Sequence, residues 1–241
     1  MYLRSSNIVV GTGFMVALKE QLKKIRVLRE VSRRLVNRVP FNYVIRKYNR
    51  CANTLSVKRA LVWKLIVDIT GTGNHIEIGQ HCIVKNLKIY VVGNNNRISI
   101  GSDVIFKSGI IWIEGNDNEV LIGANTTVES ADLFVTENSN GLTIGEDCML
   151  AENICFRTGD SHPILDRLTG DIINSAQSIS IGRHNWLGEG VTLLKGATLP
   201  DDTIVATKSV VTRKFSDSNS IIGGVPAKKI KDNVTWLRSH S

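Results

Sequence analysis

The sequence predicts a parallel β-solenoid on three observations: a six-residue block that returns at a fixed interval, hexapeptide repeats behind it, and a composition rich in glycine but poor in aromatic residues. The block, Asn74-His75-Ile76-Glu77-Ile78-Gly79, comes back as Asn-x-x-x-Ile-Gly beginning at Asn96, Asn118 and Asn140, 22 residues apart each time. A fixed period of this size means stacked coils, each burying its apolar edge only against its neighbours. With 6% aromatic residues and 20 glycines in 241, the chain suits a narrow core of small aliphatic side chains joined by tight turns.

Within each block apolar and polar residues alternate before the glycine, which is the pattern of a half-buried strand. The Asn-rich tips Asn94-Asn95-Asn96 and Asn116-Asp117-Asn118 supply corners. Asparagines aligned at one corner can ladder their amides along the axis. Cys82, Val104, Thr126 and Cys148 share a register, so these two cysteines read as small core residues and not as reactive thiols.

The next matching block begins at Gln177, 37 residues after Asn140: one period plus fifteen inserted residues. From Ile181 the period shortens to six, with an aliphatic residue followed four later by a small one: Ile181 and Asn185, Leu187 and Val191, Leu193 and Ala197, Leu199 and Thr203, Val205 and Ser209. Three such hexapeptides make an 18-residue triangular turn. The earlier 22 is therefore 18 plus a four-residue corner extension, and one solenoid accounts for both regions.

Ahead of the repeats, Leu18, Leu22, Ile25, Leu28, Val31 and Leu35 recur at spacings of three and four, one face of an amphipathic helix that Pro40 ends. A second helix is expected around Leu55 to Val67. The organisation expected is a basic helical N-terminal segment over 1–68, a β-helix over 69–213 with an inserted loop at about 157–177, and a C-terminal tail over 214–241.

Charge is unevenly placed. Residues 1–64 hold 15 Lys and Arg against 2 Asp and Glu, while the rest of the chain is net acidic, although the whole carries +8. Such a segment favours anionic lipid or an anionic polymer, or else forms a solvated helical face. No nucleic-acid motif accompanies the charge, so nucleic acid is not expected. The apolar run Ile8 to Leu18 is broken by Gly11 and Gly13 and followed by lysines, which argues against export; no stretch is long enough to span a bilayer. Four cysteines without a CxxC pattern indicate neither a zinc ribbon nor a disulfide scaffold. A cytoplasmic home, peripheral to the inner membrane through the basic segment, is the expectation.

Over Thr158 to Asp232 the sequence resembles the hexapeptide-repeat acyltransferases, in particular the galactoside and maltose O-acetyltransferase type. The resemblance is carried by the Gly159-Asp160-Ser161-His162-Pro163 loop, Trp186-Leu187-Gly188, Ser209-Val210-Val211-Thr212 and Gly224-Val225-Pro226-Ala227-Lys228. It implies a left-handed parallel β-helix, a homotrimer, and acetyl-CoA as donor without a metal. The loop is also similar to that of capsular and polysialic acid O-acetyltransferases, where a loop histidine works with a later tryptophan, here His162 and Trp186. The long N-terminal segment is absent from the simple sugar acetyltransferases and points to a glycan acceptor, a polymer or a lipid-linked unit.

Acetyl transfer to a sugar hydroxyl needs a base, since an alcohol is barely ionised near pH 7, and a histidine titrates in the working range. His162 lies on the one large insertion of a regular scaffold, stiffened by Pro163. Asp160, Asp166 or a backbone carbonyl would orient the imidazole. Trp186 takes an outward position; by resemblance it lines the cleft at the thioester end of CoA, though a subunit interface would also explain it. A backbone NH near Gly188 would stabilise the oxyanion. By resemblance, Thr207 and Thr212 meet the pantetheine, and Arg213, Lys228 and Lys231 the phosphates. Where relatives carry a Gly-Ala-Gly-Ser corner, this chain has Ala206-Thr207-Lys208-Ser209. Among the other histidines, His75, His81 and His184 do not show zinc-ligand spacing.

The function expected is acetyl-CoA-dependent O-acetylation of a bacterial surface polysaccharide, capsular or lipopolysaccharide and sialic-acid-containing in the closest resemblance. Two alternatives are N-acetylation of an amino or nucleotide sugar, and a non-catalytic β-helix scaffold.

Overall fold

A computed structural model of the chain describes residues 44–238, and these contain strands and turns but no helix. They wind into about eight turns of a parallel β-solenoid with three faces. Face A stacks Val44–Lys47, Leu65–Thr70, Leu87–Val92, Gly109–Glu114, Ala131–Thr136, Ile154–Arg157, Thr192–Leu194 and Val210–Val211. Face B stacks Thr54–Val57, His75–Ile78, Arg97–Ile100, Glu119–Ile122, Gly141–Ile144, Ile179–Ile181 and Thr198–Leu199. Face C runs from Leu61–Trp63 through Ile83–Lys85, Ile105–Phe106, Thr127–Val128, Met149–Leu150, Trp186–Leu187 and Thr203–Val205 to Ser220–Gly224.

Each coil passes from B to C to A, and the 22-residue spacing is the register of the stack: Ile76 pairs Ile98, and Tyr90 pairs Trp112. Inward positions of one coil, such as Ile76, Ile78, Cys82, Val84, Leu87, Ile89 and Val91, are fully buried. The shared register of Cys82, Val104, Thr126 and Cys148 is a buried column. The four extra residues of the long coils lie at the corner from A to B, where two asparagine columns run along the axis. In the inner one the Asn74 Nδ2 donates to Asn53 Oδ1 and the Asn96 Nδ2 to Asn74 Oδ1, both at 2.9 Å. The outer column, Asn94, Asn116 and Asn138, donates in the opposite direction, from Asn94 to Asn116 at 3.1 Å and on to Asn138 at 3.2 Å. A buried amide is stable only with its hydrogen bonds satisfied, and stacking identical residues satisfies each by the next.

Three expectations are corrected here. No helix forms around Leu55 to Val67: these residues are strands of all three faces, with Val62, Leu65 and Val67 buried. Asn53 already belongs to the asparagine column, so this stretch is a coil: its buried positions are two apart along a strand, as Leu65 and Val67, and three apart across a corner, as Val62 and Leu65. The solenoid accordingly includes 44–68, ahead of the expected boundary. The C-terminal part is not a plain tail either, because Ser220–Gly224 continues face C and Ala227–Asp232 folds back antiparallel to it. The helix expected over Leu18 to Leu35 lies outside the described residues.

Candidate active site

The insertion leaves the solenoid at the same A-to-B corner that carries the four-residue tips, between Arg157 on face A and Ile179 on face B. Its base is closed by Thr158, buried in line with the face, whose Oγ1 accepts from Thr136 N at 3.0 Å and whose carbonyl accepts from Gln177 N at 2.8 Å. Gly159 follows because no Cβ fits there: one would lie 2.3 Å from Thr136 Oγ1. Glu137, at a corner position held by glycine in the coils before it, accepts from Ala176 N at 3.0 Å and ties down the far end.

Asn174 holds the middle of the loop. Its Nδ2 donates to the carbonyl of His162 at 2.9 Å and to Asp160 Oδ2 at 3.0 Å, while its Oδ1 accepts from Ile164 N at 2.6 Å. Lys195 on the next coil donates to Asp160 and to the Asn174 carbonyl, the latter at 2.8 Å. The hydrogen bonds from Lys195, then Asn174, hold the Asp160 carboxyl below the usual carboxylate range. Beyond this clasp, Leu165 and Ile172 bridge antiparallel into a flap whose turn is closed by Asp166 Oδ1, accepting from Leu168 N and Thr169 N.

The imidazole of His162 is exposed and lines a cleft of about 500 Å³ with Glu114, Thr136, Glu137 and Asp160. Among the described residues neither Asp160 nor Asp166 bonds its ring: the first serves the clasp and the second the flap turn. On the cleft wall Thr136 Oγ1 is buried and has no hydrogen-bond partner among the described residues. This hydroxyl lies packed under Gly159 and is not open to a ligand.

Trp186 stands on face C, outward and 37% exposed, away from the A-to-B corner. One chain therefore does not bring His162 and Trp186 into one cleft. Beside Trp186 lies Trp236, 6.3 Å between ring centroids, stacked at 4.4 Å on His184. The segment that contains Trp236 and Arg238 straps the B-to-C corner: the Trp236 Nε1 donates to the His184 carbonyl at 2.9 Å, and Arg238 donates to Asp147 at 2.9 Å.

The residues expected to hold CoA divide between two edges. Gly188 and Thr207 stack at the C-to-A corner, where a Cβ on Gly188 would lie 2.8 Å from Thr207 N, and Lys228, opposite Gly223, extends that line. Thr212 and Arg213 follow Val210–Val211 toward the A-to-B edge. The Gly188 amide donates to Val205 O at 2.9 Å, so it is not free for an oxyanion. Lys208, at φ 60°, passes across Gly190 to pair with Glu189 at 3.1 Å and narrows the corner. Among the described residues Arg213, Lys228 and Lys231 have no carboxylate partner, whereas Lys208 and Lys229 do. Cations without a carboxylate partner suit an anionic ligand. No group of three His, Cys, Asp or Glu among the described residues is placed to hold a metal.

Asn174, Lys195 and Trp236 were missed by sequence reasoning. Only the position of Asn174 within the insertion offered a signal.

No family model matches the chain. The structure superimposes on that of the polysialic acid O-acetyltransferase OatWY with a TM-score of 0.78 and 30% identity, over 83% of this chain and 93% of that one. The chain belongs to the hexapeptide-repeat acetyltransferases. A 93-residue stretch, 39% of the chain, is 34% identical to the polysialic acid O-acetyltransferase of Escherichia coli O1:K1, covering 30% of that protein. An equally long stretch is 35% identical to the enzyme of that name from Neisseria meningitidis, covering 43% of it. The match takes in less than half the length of either curated relative. Within this hexapeptide-repeat acetyltransferase the insertion carries His162 into the cleft, whereas the exposed His75 of the repeat lies on face B outside it.

Proposed function

We propose that the protein transfers the acetyl group of acetyl-CoA to a hydroxyl of a bacterial surface polysaccharide, and that the acceptor is a sialic-acid-containing capsule glycan. The observation that carries the reading is His162, exposed on a clasped loop at the mouth of a cleft, in a chain whose relatives are named polysialic acid O-acetyltransferases. His162 takes the proton of the acceptor hydroxyl as the hydroxyl oxygen attacks the thioester carbonyl; the C–S bond then breaks, and the departing CoA thiolate takes the proton back from the imidazolium. Transfer is direct. Burial pushes the thiols of Cys82, Cys148 and Cys155 up, which leaves these cysteines poor nucleophiles.

Because His162 and Trp186 lie on different edges, we place the complete site between neighbouring chains of a homotrimer. The trimer's left-handed coil, its cytoplasmic location and contact of the basic N-terminal segment with the inner membrane belong to the same proposal. CoA would lie against Gly188 and Thr207 with its phosphates near Arg213, Lys228 and Lys231.

His162→Ala should lower thiol release in the presence of polysialic acid by about 10²-fold or more while CoA still binds in calorimetry. Undiminished turnover in that variant would remove the assignment, and an acetyl group stable to mild base would move the acceptor atom to nitrogen. Mixing His162→Ala with Trp186→Ala chains should restore part of the activity if the site is shared between chains.

A further inference from the structure

The outward face of the sheet that leads to the His162 loop carries a column of rings. Tyr90, Trp112 and Phe134 occupy the same register on three successive coils, and Arg157 takes that register on the fourth. Tyr90 and Trp112 meet at 5.4 Å between centroids, tilted by 45°, and the Arg157 guanidinium lies 4.7 Å over the Phe134 ring. All four are half-buried. The chain has only 4 Trp, 4 Tyr and 6 Phe, so three of them in one outward column is a concentration that core packing does not call for.

The column is continuous with the site. Glu114 and Thr136, which line the His162 cleft, stand two residues beyond Trp112 and Phe134 on the same strands, and Arg157 donates to Ser161, beside His162, at 3.0 Å. Among the described residues Arg157 and Lys88, the latter on the strand of Tyr90, have no carboxylate partner; Asp132 on this face accepts from Ile110 N, and Asp68 pairs with Lys47. Rings a coil apart are spaced by about 4.8 Å, so the three cover roughly 10 Å.

We propose that this column is an extended acceptor subsite, on which successive sugar rings of an anionic glycan pack their C–H faces against Tyr90, Trp112 and Phe134 while Arg157 and Lys88 meet the carboxylates. Stacking supplies affinity that does not depend on a single hydroxyl, and the basic groups select a charged chain over a neutral one. The subsite feeds the chain along the solenoid axis toward His162. It rests on the glycan-acceptor reading above, and it adds a preference for long acceptors that the cleft alone would not give.

The test compares wild type, Trp112→Ala, Tyr90→Ala and Trp112→Phe, as full chains, on long polysialic acid and on the sialic acid dimer. Each alanine variant should lose about tenfold in kcat/KM on the long acceptor and less than twofold on the dimer, and Trp112→Phe should recover most of the loss. Equal losses on both acceptors, or none on either, overturn the subsite. So does a change of oligomeric state in the alanine variants, which would make this face a contact between copies. A wild-type protein that acetylates neither acceptor overturns the function on which the subsite rests, and that failure is visible without any variant.

Discussion

The side chain of Asn174 donates to the main-chain carbonyl of His162 at 2.9 Å, so the residue proposed as base is held through its backbone and its ring is left free. The same amide group reaches Asp160, and its oxygen takes Ile164 N from the other side of the histidine. A base must be placed to within a fraction of an ångström and must keep one ring nitrogen free to take the proton.

Asn174→Ala removes three hydrogen bonds from the loop and none from the coils. Turnover should fall by roughly 10- to 100-fold, since small misplacements of a catalytic group have effects of this size. CoA affinity and the melting temperature should stay close to wild type. A loss of turnover matched by a large loss of melting temperature would mean that the residue is structural.

The Asp160 clasp makes a statement about pH. Its carboxyl titrates below its ordinary value because Lys195 and Asn174 bond the charged form. A depressed carboxylate contributes stability that is present above the unfolded pKa and is lost as pH falls through the folded one. Limited proteolysis of the loop should therefore be flat from about pH 8 to 5 and accelerate only below roughly pH 4. Asp160→Asn should be cleaved faster throughout, with no acid step.

The asparagine columns differ in burial, and their mutants should differ accordingly. Asn96→Ala leaves the Gly115 carbonyl and Asn118 N without a partner inside the corner, while Asn74 Oδ1 keeps only the Asn96 main-chain N–H. At about 1–3 kcal/mol for each orphaned group, melting should drop by roughly 5–10 °C. Asn116→Ala, in the outer column where water can substitute, should cost less than about 1 kcal/mol. Thermal unfolding of the two variants checks the contrast.

Burial raises the Cys148 thiol to about 11, whereas Cys51 is exposed. At pH 8 an alkylating reagent should modify Cys51 within minutes and leave Cys148 untouched until the chain is denatured, as peptide mass spectrometry would show. Rapid labelling of Cys148 in the native protein would contradict the buried column.

How far the sequence reaches depends on the range of the interactions involved. Stacking coils repeat one register, so the period alone disclosed the solenoid, the core role of Cys82 and Cys148, the four-residue corner and the position of the insertion. The same logic failed over Leu55 to Val67, where apolar spacing across corners imitates a helix and the Asn53 rung arrives 21 residues before Asn74, not 22. His162 was legible because an interruption stands out against a period.

Its surroundings were not legible, because they are made by contacts across coils and across the loop. Asp160 and Asp166 looked like partners for the imidazole from their nearness in sequence. Folding gave them instead to Lys195, 35 residues away, and to the turn of the flap. Periodicity placed Trp186 on an outward position, but only the three-faced winding put it on a different edge from His162. A repeat determines which residues share a face; which side chains meet between faces, or between chains, is decided by how the corners turn in space.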